Sequence, residues 1–361
     1  MNRVSSNFYF SPSSIQTNYL SSGNLSAFST TYFSLSTEGL TNLVLSLSNI
    51  QENFDRYQKV LINWDQGNEI YNVTINPTAN ESITDVILQN IFTTSSAFDP
   101  NTFSLIDRIK PKAIIHCAGT SLVGPSIMNP EVYYYNNFVK TLILMNHLVN
   151  SKSTARFIFS SSAAVYGDPV MTPCQEEDPP LPISPYGESK LMVEMMLASY
   201  CKAYNVDYVA FRYFNACGAD PQGRHGQAPN GTHIIARVLE SIRDSKQFTL
   251  YGTDYPTADG SCVRDYVHVE DIARAHMLAI DPKVDVGVYN LCQNNGVSNR
   301  EIIQIAERIT GNKLEVVVGD KREGDPAELT ASAAKFMSTV GEWRQHTLDN
   351  MIQHAWTWYN R

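Results

Sequence analysis

The chain has 361 residues, 43% of them hydrophobic, which is enough for the core of one large α/β domain or two smaller ones. A formal net charge of −9 argues against a nucleic-acid or acidic-membrane partner. No apolar run approaches a membrane span, and the opening MNRVSSNFYF lacks the apolar core and cleavage site of a signal peptide. The cysteines at 117, 174, 201, 217, 262 and 292 form no CxxC pair, so the simplest setting is reduced and cytoplasmic, with no metal site.

Residues 1–100 differ in composition from the rest. Ser, Thr and Asn dominate, Gly occurs only at 23, 39 and 67, and there are three Lys or Arg. VLINWDQGNEIYNVTI (60–75) alternates around a polar turn and predicts a hairpin, with Val60, Ile62 and Trp64 on one arm and Ile70 and Val73 on the other. TNLVLSLSNI (41–50) predicts another strand. The sequons at Asn24, Asn72 and Asn80 are what chance gives in so Asn-rich a stretch. The plain reading is a polar β-rich or partly disordered leader, and the other is an added binding or structural module.

From about Thr102 strands and helices alternate. A helix ends at Asp107-Arg108-Ile109, and AIIHC (113–117) predicts a buried parallel strand. Helix 131–150, strand 157–162, helix 188–204 and strand 206–214 follow. Short buried strands joined by helical crossovers mean a doubly wound, mostly parallel sheet. Beyond Cys217 come helix 233–245, strand 248–252, helix 269–280, strand 288–292 and helix 298–310. These predict a smaller C-terminal lobe, with the core sheet mainly in 101–215 and the lobe mainly in 216–361.

SSSAAVYG (160–167) closes an apolar strand, where an open α/β sheet keeps its ligand crevice. Alone, a serine cluster there is ordinary loop chemistry. SPYGESK (184–190) adds Tyr186 and Lys190, four apart and so on one helix face. An ammonium beside a phenol favours the phenolate and makes the tyrosine a usable base near neutral pH. With Ser162 at the strand end, Ser162, Tyr186 and Lys190 are the catalytic candidates. His116 and His268 are expected to be core or strand-end histidines.

SSSAAVYG, SPYGESK, FRYFNACGAD (211–220), YGTDYPTADGSCVRDYVHVEDIARAH (251–276) and REGDPA (322–327) stand in this order, and over about 103–361 the chain resembles the UDP-glucose 4-epimerase family of extended short-chain dehydrogenases/reductases. The resemblance implies NAD as cofactor, a UDP-hexose as substrate and a possible homodimer. It implies that Cys117, Ala118, Gly119, Asn137, Ser160, Tyr186, Lys190 and Tyr213 contact the cofactor, with Phe214 closing over the nicotinamide. Ser162 and Asn215 would bind the sugar nucleotide, Arg264 and Arg322 the diphosphate, and Asp325 the uridine ribose. Guanidinium forks suit phosphate; read alone, Arg264 could equally pair with Asp265.

The family opens with a strand, a GxxGxxG turn and a helix, whose backbone meets the cofactor pyrophosphate. Nothing before Lys110 has that pattern. The expected fold is therefore a Rossmann-like α/β body over 101–361, N-terminally incomplete, behind a leader over 1–100. Smaller departures are Ser121 in place of a frequent lysine, Cys292 in place of a glycine, and Leu329 four residues after Asp325. The leading reading is NAD-dependent 4-epimerisation of a UDP-hexose. The alternative is a catalytically impaired, nucleotide-sugar-binding body fused to a structural module. A sugar dehydratase fits less well, because Ala163-Ala164 stands before Val165-Tyr166-Gly167 where an acidic residue would be expected.

Overall fold

The computed structural model describes residues 8–9, 31–35, 59–65, 70–76 and 100–361, except 229–230 and 323–324. Among the described residues before residue 100, four strands form a sheet. Strand β1 (Phe8–Tyr9) runs parallel to β2 (Thr31–Leu35), while β3 (Lys59–Asp65) and β4 (Ile70–Asn76) form an antiparallel hairpin that β2 extends. Its register pairs Lys59 with Asn76 and Asp65 with Ile70, so the alternating arms at 60–75 do make the expected hairpin. The strand expected at 41–50 lies outside the described residues.

The chain divides into two compact units, Met1–Ser121 with Glu131–Phe157 and Ala203–Asp207, and Leu122–Pro130 with Ile158–Lys202 and Tyr208–Arg361. In the first, α1 (Pro100–Ile109) leads into β5 (Ala113–His116), buried along its whole length. After α2 (Val123–Met128), which belongs to the second unit, the helix expected over 131–150 is broken. It comprises α3 (Pro130–Tyr133), a π-helical segment Tyr134–Val139, and α4 (Lys140–Asn150). The cause is tertiary. Buried Asn137 in the π segment accepts the Thr120 N–H at 2.7 Å and donates to the Thr120 carbonyl at 3.0 Å, clamping the loop that follows β5. Single π turns of this kind commonly serve such a local task.

Strand β6 (Arg156–Ser162) starts in the first unit. There the Arg156 N–H donates to the Lys112 carbonyl (2.9 Å), the Phe157 N–H donates to the Asp207 carbonyl (2.8 Å), and Arg156 Nε reaches Asp207 Oδ1 at 3.0 Å. In the second unit, α5 (Pro185–Tyr204) leads to β7 (Tyr208–Tyr213), and then to β8 (Asn215–Cys217), α6 (Ile234–Arg243) and β9 (Phe248–Tyr251). The chain continues through β10 (Val263–Arg264), β11 (Tyr266–His268), α7 (Val269–Leu278), β12 (Gly287–Leu291), β13 (Val297–Ser298) and α8 (Asn299–Thr310). It ends with β14 (Val316–Gly319), β15 (Glu328–Leu329), α9 (Ala334–Val340) and α10 (Leu348–Tyr359).

Strand β7 lies between β6 and β12 and pairs parallel with β12, Val209 opposite Gly287 through Tyr213 opposite Leu291. The α/β class with a parallel sheet is the one the alternation predicts, because parallel neighbours need helical crossovers. The C-terminal part carries short ladders instead. Strand β8 pairs parallel with β11, β9 parallel with β14, and β10 sits between β13 and β15. Helix α6 buries Ile235, Ala236, Val238, Leu239 and Ile242, one face at helical spacing, against Ile302, Ile303 and Ala306 of α8 and Met351, Ile352 and Ala355 of α10. Among the described residues no helix is long and apolar enough to cross a membrane.

Candidate active site

Strand β6 is buried except for its last residue, Ser162, so the serine run emerges where the strand stops. Ser162 Oγ accepts the Ala164 N–H at 3.2 Å and caps the short 3₁₀ turn Ala163–Val165, which leaves the serine's own proton available to a ligand. Opposite this turn α5 begins. A Cβ on Gly187 would lie 2.4 Å from the Ala164 carbonyl oxygen, so only glycine lets the first turn of α5, and with it Tyr186, pack this closely on the loop after Ser162.

One turn further along α5, Lys190 is 5% exposed, and its Nζ donates to the Ser160 carbonyl at 2.8 Å. The same nitrogen lies 5.9 Å from the ring centroid of half-buried Tyr186 and 5.0 Å from that of Phe159. Strand β6 and helix α5 thus bring Lys190 beside Tyr186 and the Ser160 carbonyl, with Ser162 two residues further along β6. A second turn along, Glu194 lies on the same face, and sequence reasoning missed it. It accepts Ser161 Oγ–H at 2.5 Å and is gripped by Arg212 of β7, Nε to Oε1 at 3.1 Å and Nη2 to Oε2 at 2.7 Å. Arg212 also lies over the Tyr166 ring, 4.7 Å from its centroid, and the Tyr166 hydroxyl donates to Asn290 Oδ1 at 2.8 Å. Ser160 is therefore held through its carbonyl by Lys190, and Ser161 through its hydroxyl by the buried Glu194–Arg212 pair. The i, i+4, i+8 spacing of Tyr186, Lys190 and Glu194 was the available signal.

The remaining expected residues fall as follows. Tyr213 ends β7, its hydroxyl 2.8 Å from Ser160 Oγ, and Phe214 packs with Ala163, Val165 and Tyr166. Cys292 sits in that same cluster, wholly buried, so the thiol fills core volume. Asn215 opens β8 and donates its N–H to the Asp265 carbonyl at 3.0 Å. Arg264 forms an ion pair with Asp325, while Arg322 lies over the Tyr251 ring, 4.1 Å from its centroid. Asp265 is not the partner of Arg264. Its buried carboxylate accepts the N–H groups of Gln293 (2.7 Å) and Asn295 (3.1 Å), and burial pushes its pKa up to about 7 against those bonds. In the other unit, Cys117 and Gly119 are exposed and Ala118 buried in the loop after β5, held by Asn137. His116 is a buried strand-end histidine, 2.9 Å from Thr141 Oγ1.

The groups present fit the nicotinamide-ribose end of a dinucleotide, since a buried ammonium beside a phenol at a strand end offers a donor to ribose hydroxyls. For the pyrophosphate end, Gly23, Gly39 and Gly67 lie outside the described residues, and no glycine-rich turn occurs among the described residues before Pro100.

Residues 62–292 match the model of the NAD dependent epimerase/dehydratase family. The chain belongs to that family. The matched span opens at residue 62, inside the hairpin. A UDP-glucose 4-epimerase of Halalkalibacterium halodurans is 40% identical over 282 residues, 76% of this chain and 80% of the relative. Among solved structures, UDP-glucose 4-epimerase from Brucella ovis in complex with NAD matches at TM-score 0.68 and 38% identity, over 71% of this chain and 81% of that one. The Bifidobacterium longum enzyme in complex with NAD+ and UDP matches at TM-score 0.65 and 34% identity, over 72% and 80%. Family membership makes the chain an epimerase-type enzyme of an NAD-dependent family.

His268 of β11 makes a second cluster, with His346 and His354. Its Nδ1 accepts the Glu270 N–H at 3.0 Å and caps α7, and its Nε2 lies 3.0 Å from His354 Nδ1. A Cβ on Gly218, which holds a positive φ of 89°, would lie 2.6 Å from the His268 ring. The ring stacks on His346, whose Nε2 is 2.7 Å from Glu270 Oε2. Burial, then the charges His346 and His354 would carry, hold His268 down at about 3. An unfolded histidine titrates at about 6.5. Its neutral form is therefore favoured by folding, a contribution fully present above about pH 6.5 and lost as pH falls from there toward the folded value. The melting temperature is expected to fall with acidification over that window. His268→Asn, which keeps a capping oxygen, should make the fall shallower, whereas parallel curves for the two proteins would exclude this role.

Proposed function

We propose that the chain interconverts UDP-hexoses of the glucose and galactose type at C4, with NAD bound throughout. The observation that supports this best is Lys190, buried beside Tyr186 on the carbonyl of Ser160, in the strand whose half-buried last residue is Ser162. Ser162 donates its free proton to O4 of the hexose. Tyr186 takes the O4 proton as phenolate and returns it from the same oxygen. Lys190 stabilises that phenolate electrostatically, and Ser160 holds Lys190 in place. Bound NAD would supply a reversible hydride acceptor for C4, so that no net redox change would result. Tyr186, Lys190, Ser160 and Tyr213 would hold its nicotinamide-ribose end. Arg264 and Arg322 grip the diphosphate and Asp325 the uridine ribose, with Asn215 on the sugar nucleotide, fixing one end of the substrate while the hexose presents either face.

Several further readings belong to the same proposal. All six cysteines are free, as suits a cytoplasmic enzyme. A homodimer, and a division into a leader over 1–100 and an epimerase body over 101–361, complete it. The alternative of an impaired body draws no support from relatives that are themselves named as epimerases.

Calorimetric titration with UDP tests the nucleotide half separately. Binding is expected, with Arg264→Ala weakening it about 10- to 100-fold, as befits a charge-assisted bond worth roughly 1.5–3 kcal/mol. No heat at millimolar UDP, or an unchanged affinity in the variant, would contradict the assignment.

A further inference from the structure

A line of hydrogen-bonded groups runs from α7 to β6 through two of the predicted cofactor residues, buried at His276 and Ser160 and half-buried at Tyr213. His276 of α7 is 4% exposed, its Nδ1 2.8 Å from the Ile272 carbonyl oxygen and its Nε2 2.7 Å from the Tyr213 hydroxyl. That hydroxyl lies 2.8 Å from Ser160 Oγ, and the Ser160 carbonyl holds Lys190. Edge-on against the ring stands Phe211, with centroids 5.1 Å apart, and burial lowers the imidazole's pKa.

The polarity of this line follows from one end. A carbonyl can only accept, so Nδ1 carries the proton of the neutral ring and Nε2 presents a lone pair. The one proton of the Tyr213 hydroxyl then goes to Nε2. Its oxygen is left to accept, and Ser160 Oγ–H must donate to it. Ser160 consequently has only lone pairs to offer a ligand.

We propose that His276 is a positioning residue that, through Tyr213, makes Ser160 an obligate acceptor for a donor group of the dinucleotide, an amide N–H or a hydroxyl. This rests on the NAD-dependent reading given above. Without the imidazole acceptor, the Tyr213 proton turns to Ser160, and Ser160 becomes a donor facing a donor.

Two measurements on the full chain test it. Long-range ¹H–¹⁵N spectra of the histidine-labelled, ligand-free protein should show His276 as the neutral Nδ1–H tautomer. In titrations followed by protein fluorescence, His276→Phe, which keeps an aromatic ring against Phe211, should weaken NAD binding about tenfold, the effect of one mismatched buried hydrogen bond. UDP affinity should stay within about twofold, and His276→Gln, whose amide oxygen can take the place of Nε2, should stay within about threefold of wild type for NAD. A merely structural role would move UDP affinity and the melting temperature together and would give glutamine no advantage. An Nε2-protonated tautomer, or unchanged NAD binding in His276→Phe, overturns the proposal even if wild type binds NAD. Should His276→Phe fail to fold, the tautomer and the glutamine variant still decide. Wild type that does not bind NAD overturns the epimerase reading and this proposal with it.

Discussion

Replacing Tyr186 with phenylalanine is expected to lower the epimerisation rate by about 100- to 10,000-fold, the usual worth of a positioned acid–base group. The ring stays, half-buried at the start of α5, and only the titratable oxygen is lost. Gly187 still allows the close approach to Ala164, and Lys190 still has the Ser160 carbonyl, so the melting temperature and UDP affinity should barely change. The effect should therefore fall on kcat, with little change in KM. A variant retaining more than about a tenth of the wild-type rate would remove Tyr186 as the essential base.

The second large effect concerns stability. Glu194 and Arg212 are 4% exposed each and meet through two hydrogen bonds, with Ser161 and the Tyr166 ring completing the enclosure. Glu194→Ala leaves a buried guanidinium without its counter-charge, which costs about 3–5 kcal/mol. Urea unfolding would report this as a lower midpoint. The double variant Glu194→Leu/Arg212→Met should recover much of the loss, since a buried pair replaced whole by apolar residues of similar size costs little. Because Glu194 also fixes Ser161, the single variant should lose activity at temperatures where it is still folded. A single variant within about 1 kcal/mol of wild type, or a double variant no better than it, would show that the pair is not what holds the end of β6 in place.

The parts of the structure legible in the sequence were those set by local chemistry. The buried runs at β5, β6 and β7 and the crossover helices between them follow from hydrophobic pattern, and the β3–β4 hairpin from alternation around a polar turn. Tyr186 and Lys190 were legible because a helix turns a four-residue spacing into adjacency. What escaped was set at long range. The π segment at Tyr134–Val139 depends on Asn137 reaching Thr120, 17 residues away in sequence, and helical periodicity carries no trace of that. Strands β10, β13 and β15 have two residues each, too few for a pattern, and exist because a neighbour supplies the other half of the ladder. His276 and Tyr213 are 63 residues apart, and Glu194 and Arg212 are 18 apart on different elements. Helix α10 was the exception, since its capping box of Thr347 and Asn350 is a local signal that was there to be read.

Epimerisation at C4 can be followed directly in the anomeric proton signals of UDP-galactose during incubation with the purified chain and NAD. Signals of UDP-glucose are expected to grow to an equilibrium mixture, with no accumulation of reduced cofactor at 340 nm, about the absorbance maximum of NADH. A sample that binds both NAD and UDP yet leaves UDP-galactose unchanged would contradict the proposed epimerisation.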